Sequence, residues 1–295
     1  MRRAKGARVI VVRMKYFSQY QEDVFLNNNY FRNKRNGTYI ELGALDGELY
    51  SNTKFFQDQL QWSGILIEPH PKKFQKLQIL RPNNSLFQEL VSSSSEELAF
   101  RHFVEGEGNA AAVSGVENTL PKEHFTNYFE NESLQKTLPQ TSTYIKPRTL
   151  TSIVQETPFL HFDLLSLDVE GHEYEVLQSW DFSIPIDVIL IEMLGLLPEK
   201  EEKCRKLLVD HGYRFDTKYR NNEVFVLNTT HYRSEPLRAG SYVELCGLTT
   251  HTEFNGTCGT IADSALTSDG RVRIRLKTNR TICVKLENIV QGLKA

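Results

Sequence analysis

Leu164-Leu165-Ser166-Leu167-Asp168-Val169-Glu170-Gly171-His172-Glu173-Tyr174-Glu175-Val176-Leu177 is the stretch on which the fold turns. Its apolar run stops at Asp168, ionisable side chains crowd the next positions, and apolar spacing resumes at Val176 and Leu177. That is the profile of a buried strand releasing polar groups at its carboxyl end, just before a helix. In open α/β sheets, ligands sit in the crevice outside those strand ends. The stretch points to an enzyme site and argues against a purely structural role.

The same alternation recurs on both sides of it. Toward the N-terminus, a helix is expected over 18–31 with Ser18 as its cap. A strand follows over 38–42, ending at Gly43, then a helix over 52–60. A second strand over 64–68 is halted by Pro69 and Pro71, with a helix over 72–80 and a third strand over 85–91. Toward the C-terminus come a helix over 149–155, the strand into Asp168, a helix over 173–179, a fifth strand over 187–192 and an amphipathic helix over 200–211. A hairpin over 213–219 and 223–228, joined through Arg220-Asn221-Asn222, closes the series. Such alternation predicts an α/β fold, a Rossmann-like parallel sheet with helices on both faces. Residues 105–148 break the rhythm. They are rich in Gly, Asn, Ser and Thr and are expected to form a substrate-covering segment with some helix over 121–134.

Past a linker at 229–236 the texture changes to short alternating strands over 242–245, 256–261, 271–276 and 281–285, punctuated by glycine turns. Residues 237–293 read as a small β-barrel. In 271–277 Arg271, Arg273, Arg275 and Lys277 alternate with Val272, Ile274 and Leu276. One strand face is therefore basic: a solvated face, or a surface for a protein or anionic ligand.

Bulk properties bound the rest. The 295 residues suffice for one large α/β domain and a small one. Hydrophobic content of 40% and charged content of 24% describe an ordinary soluble chain. No apolar run reaches the ~20 residues of a membrane span, so no membrane partner is expected. A formal net charge of −2 argues against a nucleic-acid partner. Cys204, Cys246, Cys258 and Cys283 lack metal-finger or CxxC spacing, which fits a reducing, cytoplasmic setting. Residues 1–15 carry six basic residues and no acid. They read as a disordered extension, an overlong start with Met14 as the native one, or an organelle-targeting segment.

Chemistry concentrates at three strand ends. Glu41-Leu42-Gly43-Ala44-Leu45-Asp46-Gly47 is a glycine turn after the first strand, but not the GxGxxG of dinucleotide enzymes. An acid there suits a ligand carrying positive charge. Glu68 ends the second strand, where a carboxylate accepts ribose hydroxyls. Three readings fit Asp168, Glu170, His172 and Glu173. His172 or a carboxylate serves as general base for an acceptor hydroxyl; Asp168, Glu170 and His172 hold a divalent metal; or the acids cap the following helix.

Five ordered blocks carry a resemblance: residues 17–23, 40–47, 51–53, 62–69 and 166–173. With them the chain resembles the FkbM family of S-adenosylmethionine-dependent methyltransferases over residues 16–228. The resemblance implies a seven-stranded class I methyltransferase sheet and O-methylation of a sugar, glycan or other small-molecule hydroxyl. It places Gln19, Glu41, Gly43, Ala44, Asp46, Asn52, Thr53, Glu68, Val91 and Asp168 around S-adenosylmethionine. Glu41 and Gly43 fall near its aminoacyl part, Glu68 at its ribose and residues 89–92 near adenine. From the reading of the cluster itself, His172, Asp168 and Glu170 are the expected catalytic set. The chain departs from the family at Gln21, where glycine is frequent, at Glu41, where Asp is usual, and at Leu45, where Asn or His is frequent. The C-terminal segment resembles small SH3-like modules. An NAD-type Rossmann oxidoreductase and a non-catalytic methyltransferase-like adaptor are the alternatives; the missing GxGxxG counts against the first, and Gly43, Glu68 and Asp168 against the second.

Overall fold

A computed structural model describes residues 15–104, 110, 112–229, 239–240, 242–245, 248, 250–254, 256–263, 267, 271–285 and 289–291. It divides into two units, one of Phe17–Asp23 with Lys34–Tyr232, the other containing Val24–Asn33 and Arg233–Ala295. The basic extension up to residue 14, and the expected linker beyond Thr229, lie outside the described residues.

The larger unit is built on a seven-stranded sheet. In chain order, after α1 (Glu22–Leu26), whose residues beyond Asp23 belong to the other unit, its elements are β1 (Thr38–Leu42), α2 (Lys54–Leu60), β2 (Ser63–Ile67), α3 (Pro71–Leu80) and β3 (Ser85–Phe87). An insert follows: β4 (Leu98–Phe103), β5 (Gly115–Val116), α4 (Lys122–Tyr128), α5 (Glu132–Thr137) and β6 (Gln140–Ile145). The chain then resumes with α6 (Leu150–Gln155), β7 (Phe162–Leu167), α7 (Glu173–Gln178), β8 (Ile186–Glu192), α8 (Pro198–Asp210), β9 (Tyr213–Tyr219) and β10 (Asn222–Leu227). Strand order is β3-β2-β1-β7-β8-β10-β9, parallel except for β10, which runs antiparallel to both β8 and β9. This is the class I methyltransferase arrangement that the resemblance implied, with the terminal hairpin read from the sequence.

Burial explains the texture of the strands. All six residues of β7 are buried, as are four of five in β1 and in β2. A strand covered on both faces reads as a continuous apolar run, not as an alternation. Ile40, Leu42, Ile65, Leu165, Leu167, Ile189 and Phe225 form the core with Leu150, Ile153 and Val176 from the helices. The chain order reverses at β1, which lies between β2 and β7. Leu42 pairs with Leu167 in register, so Gly43 and Asp168 emerge side by side at the switch point, where such sheets open a crevice.

Three elements depart from expectation. The first helix starts at Glu22, not Ser18, because Gln21 adopts a left-handed φ of +69°. Ser18 still organises that end: its Oγ accepts the Asp23 N–H at 3.1 Å, while Asp23 Oδ2 accepts the Phe17 N–H at 2.7 Å. The helix passes into a π-helical turn at Asn27–Phe31. The third strand is shorter, and Val91 beyond it makes only an isolated bridge to Arg148. The described residues of 98–145 form a folded insert with its own three-stranded antiparallel sheet, ordered β5-β4-β6. Phe103, Leu120 and Phe129 form one small core there, and Leu90, Phe100 and Val116 another.

In the smaller unit, β11 (Tyr242–Leu245), β12 (Cys258–Ile261), β13 (Arg271–Leu276), β14 (Thr281–Lys285) and β15 (Ile289–Gln291) form one antiparallel sheet in the order β14-β13-β12-β11-β15. Val243, Leu245, Ile261, Val272, Ile274, Leu276 and Val284 are its buried face. The outer strands β14 and β15 are not paired with each other among the described residues. Where a barrel was expected, the described residues form an antiparallel five-stranded sheet, and closure into a barrel is not shown among them. On β13, Arg271 and Arg275 are exposed, while Arg273 Nη1 meets the Asp263 carboxylate at 3.2 Å.

Candidate active site

The first strand end is held by close approach. Gly43 has a φ of +75°, and a Cβ there would stand 2.0 Å from the Asp168 carbonyl oxygen. Only glycine fits a left-handed turn against a neighbouring backbone. Glu41, one strand position before the turn, is buried and fully engaged. Its carboxylate accepts Ser51 Oγ at 2.9 Å, Thr53 Oγ1 at 2.6 Å and the Asn52 N–H at 2.7 Å. Arg81, completely buried, donates to the Gly47 carbonyl at 2.7 Å, Tyr39 Oη at 2.7 Å and Thr53 Oγ1 at 3.0 Å, and also bonds to Gln57 Oε1. Glu41 and Arg81 together clamp the loop at 47–53 over the sheet, and Asn52 Nδ2 reaches Ser166 Oγ at 3.0 Å.

Glu68 closes the second strand end. Its two oxygens accept the N–H groups of Leu45 at 2.8 Å and His70 at 2.7 Å, and burial pushes its carboxyl up to about 7. Each oxygen keeps a second lone pair for a ligand hydroxyl. Leu45 itself sits at a φ of +49°. Glycine and Asn adopt left-handed backbone more readily than Leu or Gln, so Gln21 and Leu45 hold this conformation at a cost.

Between these ends lies a cleft of about 990 Å³ counting its open mouth. Of the residues singled out in the sequence, Gln19, Glu41, Gly43, Asn52, Glu68, Val91, Asp168, Glu170 and His172 line it, with Glu89 and Leu90 beside Val91. Ala44, Asp46 and Thr53 stand behind it. Ala44 donates to the Ile67 carbonyl at 3.2 Å, and Asp46 caps its own turn through Glu48 and Leu49 and pairs with buried Lys73 at 3.2 Å. Thr53 spends its hydroxyl on Glu41.

The loop after β7 separates the roles of its ionisable side chains. Glu173 Oε1 accepts the N–H groups of Val169 and Gly171, each at 3.1 Å, so this acid ties the loop that precedes the helix and does not cap the helix itself. Asp168 and Glu170 instead meet Glu192 at the end of β8, their oxygens all within 4.8 Å of one another. Burial and mutual repulsion raise all three carboxyls, and Asp168 and Glu192 share a hydrogen bond that holds a proton between them. His172 does not share this cluster, so the expected metal set of Asp168, Glu170 and His172 is corrected to Asp168, Glu170 and Glu192. Its Nδ1 lies 3.0 Å from Thr119 Oγ1 and 3.7 Å from Glu175 Oε2, and burial lowers the imidazole to about 4. The ring is therefore neutral at pH 7.

Three of these neighbours were not singled out in the sequence. Glu192 carried the same signal as Glu68, an acid at a strand end. Thr119 and His124 carried none, since both lie in the insert. His124 donates from Nε2 to the Val113 carbonyl at 2.9 Å, and its Nδ1 stands 3.3 Å from Glu170 Oε2. Burial lowers His124 and raises Glu170, so the proton between them resides on the carboxyl.

Residues 41–215, well over half of the chain, match the family model described as "Methyltransferase FkbM domain". The chain belongs to the FkbM methyltransferase family. It is accordingly an S-adenosylmethionine-dependent methyltransferase. No curated protein sequence matches it. Among solved structures it is similar to fibrillarin of Aeropyrum pernix, crystallised with natively bound S-adenosyl-L-methionine, at 11% identity over 71% of this chain and 73% of that one, TM-score 0.36. It is also similar to precorrin-6y C5,15-methyltransferase from Geobacter metallireducens GS-15, at 13% identity over 74% and 91%, TM-score 0.35. A third is mitomycin 7-O-methyltransferase, at 12% identity over 70% and 52%, TM-score 0.31. At such distance these likenesses bear on neither acceptor nor site, and the assignment rests on the family match. The cleft of this FkbM methyltransferase fits its methyl donor: a backbone turn stripped of side chain at Gly43, an acid with spare lone pairs at Glu68, and carboxylates facing the same space. No helix among the described residues is long and apolar enough to cross a membrane.

Proposed function

We propose that this enzyme transfers the methyl group to a hydroxyl of a sugar or another small molecule, with His172 as the base. The observation that carries this reading is a neutral, buried imidazole lining the donor cleft beside three carboxyls. S-adenosylmethionine, when bound, supplies a methyl group already activated as a sulfonium. Alignment and a deprotonated nucleophile are what remain for the protein to provide. Gln19, Glu41, Gly43, Asn52, Glu68, Val91 and Asp168 border the donor in this reading, with Ala44, Asp46 and Thr53 shaping the loops behind. His172 accepts the acceptor's hydroxyl proton, which makes the oxygen a stronger nucleophile. Asp168 and Glu170 orient the hydroxyl through their hydrogen bonds.

His172→Ala should lower methyl transfer to hydroxyl acceptors, screened with a methyl-labelled donor, while S-adenosylhomocysteine binds as in the wild type. Equal turnover in that variant removes His172 from the reaction. The convergence of Asp168, Glu170 and Glu192 supports a second reading, in which a divalent cation there lowers the hydroxyl's pKa. Loss of turnover with EDTA and recovery with magnesium or manganese would select it; indifference to EDTA leaves the imidazole as the base. The basic strand of the smaller unit supports an anionic or protein ligand, to be tested by salt-dependent binding.

A further inference from the structure

We propose that Thr119 is a positioning residue that sets the tautomer of His172, presenting the ring to the cleft with Nε2 bare. The inference rests on His172 being the base, and it assigns that task to one ring nitrogen and the insert to its support. Thr119 Oγ1 lies 3.0 Å from His172 Nδ1 and 3.1 Å from the Val116 carbonyl, to which it donates. A hydroxyl has one proton. With that proton turned to Val116, lone pairs face the ring and the hydrogen is favoured on Nδ1.

A second acceptor stands on the same side. Glu175 Oε2 is 3.7 Å from Nδ1 and is held by Lys200 Nζ at 2.8 Å. Lys200 in turn donates to the Gly171 carbonyl at 2.6 Å, fixing the loop that bears His172. These are the charged groups facing Nδ1: an acceptor-only carboxylate close by, and a lysine already committed to it. A neutral imidazole has one N–H. Placing it on Nδ1 leaves Nε2 as the nitrogen able to take a proton. Nε2 is buried and has no hydrogen-bond partner among the described residues, although His172 lines the cleft. A buried polar atom left unsatisfied costs free energy, and an acceptor hydroxyl donating to Nε2 would remove that cost.

The contact depends on a tight fit between two distant segments. The Val116 carbonyl also accepts the N–H groups of Thr119 and Leu120, at 2.9 and 3.0 Å, which closes the turn that carries Thr119. Gly171 sits directly beneath it at a φ of +96°, and a Cβ there would lie 2.7 Å from the Thr119 carbonyl oxygen. The glycine before His172 is thus the residue that admits Thr119 to the ring.

The test reads the ring nitrogens of ¹⁵N-histidine-labelled full-length protein by NMR, with S-adenosylhomocysteine bound, in wild type, Thr119→Val and Thr119→Ser. Wild type should show hydrogen on His172 Nδ1 and an unprotonated Nε2. Thr119→Val should shift the population toward the Nε2–H tautomer by ~5-fold, the worth of a hydrogen bond of ~1 kcal/mol, and Thr119→Ser should restore the wild-type signature. Melting temperature and S-adenosylhomocysteine affinity should stay near wild type in both variants. Hydrogen on Nε2 in the wild type, or a tautomer unmoved by Thr119→Val, overturns the proposal. Because no acceptor is needed, these outcomes are independent of the His172→Ala turnover test, so either idea can fail alone.

Discussion

Gly43→Ala tests the close approach on which the donor end of the cleft depends. Two costs add. A side chain held at a φ of +75° loses ~1–2 kcal/mol relative to glycine. The new Cβ would also stand 2.0 Å from the Asp168 carbonyl oxygen, where real Cβ atoms stay beyond 3.0 Å, so the ends of β1 and β7 must part by about 1 Å (3.0 minus 2.0). Overpacking of this kind costs ~1–3 kcal/mol. Gly212→Ala is the matched control, because Gly212 has a φ of +86° and nothing within 4 Å of its would-be Cβ. It bears the backbone cost alone. At ~2–4 °C per kcal/mol for a domain of this size, Gly43→Ala should melt ~2–12 °C below Gly212→Ala by circular dichroism. Calorimetric titration should also show weaker S-adenosylhomocysteine binding in Gly43→Ala alone, since Gly43 and Asp168 both line the cleft. Equal melting of the two variants, or undiminished binding in Gly43→Ala, would refute the reasoning.

Other outcomes follow from the same geometry. Glu68→Gln removes a charged acceptor whose hydrogen bonds to a ligand are worth ~1.5–3 kcal/mol, so S-adenosylhomocysteine affinity should drop ~10- to 100-fold by calorimetry. His172 has a folded-state pKa near 4, below its ordinary 6.5, so the unfolded chain takes up its proton first as pH falls. Its contribution is therefore present above pH 6.5 and lost on acidification toward pH 4, and the stability advantage of wild type over His172→Gln should shrink by ~3 kcal/mol across that window in urea titrations. A constant difference would contradict the neutral buried ring. Gln21 is exposed at a φ of +69°, so Gln21→Gly exchanges ~1–2 kcal/mol of strain for ~0.5–1 kcal/mol of unfolded-chain entropy and should raise the melting temperature slightly.

Much of the larger unit was legible because its signals are local. Buried parallel strands announce themselves as apolar runs, and the chain must turn sharply where they end, so Gly43, Glu68 and Asp168 could be placed from neighbours in sequence alone. The insert was not legible. β6, Gln140–Ile145, is half-buried and mostly polar, and it becomes a strand only by pairing with β4. α4 and α5 span seven and six residues, too few for a clear helical period. The same blindness applied to Thr119 and His124, whose partners are far away in the chain.

The resemblance to the FkbM family implied the seven-stranded sheet and the methyl donor, whereas the sequence by itself determined a parallel α/β sheet ending in an acidic, glycine-turned crevice. That followed from burial periodicity and turn chemistry, which each residue carries with it. Only the tertiary structure decided what each acid does there. Glu41 is consumed by the loop it clamps, Glu173 by backbone N–H groups, and Asp168 and Glu170 find Glu192 instead of His172. His172 faces a threonine delivered by the insert. Hydrogen-bond partnership is settled by distances of about 3 Å between segments remote in the chain, and no spacing within the Asp168–Glu173 stretch encodes it.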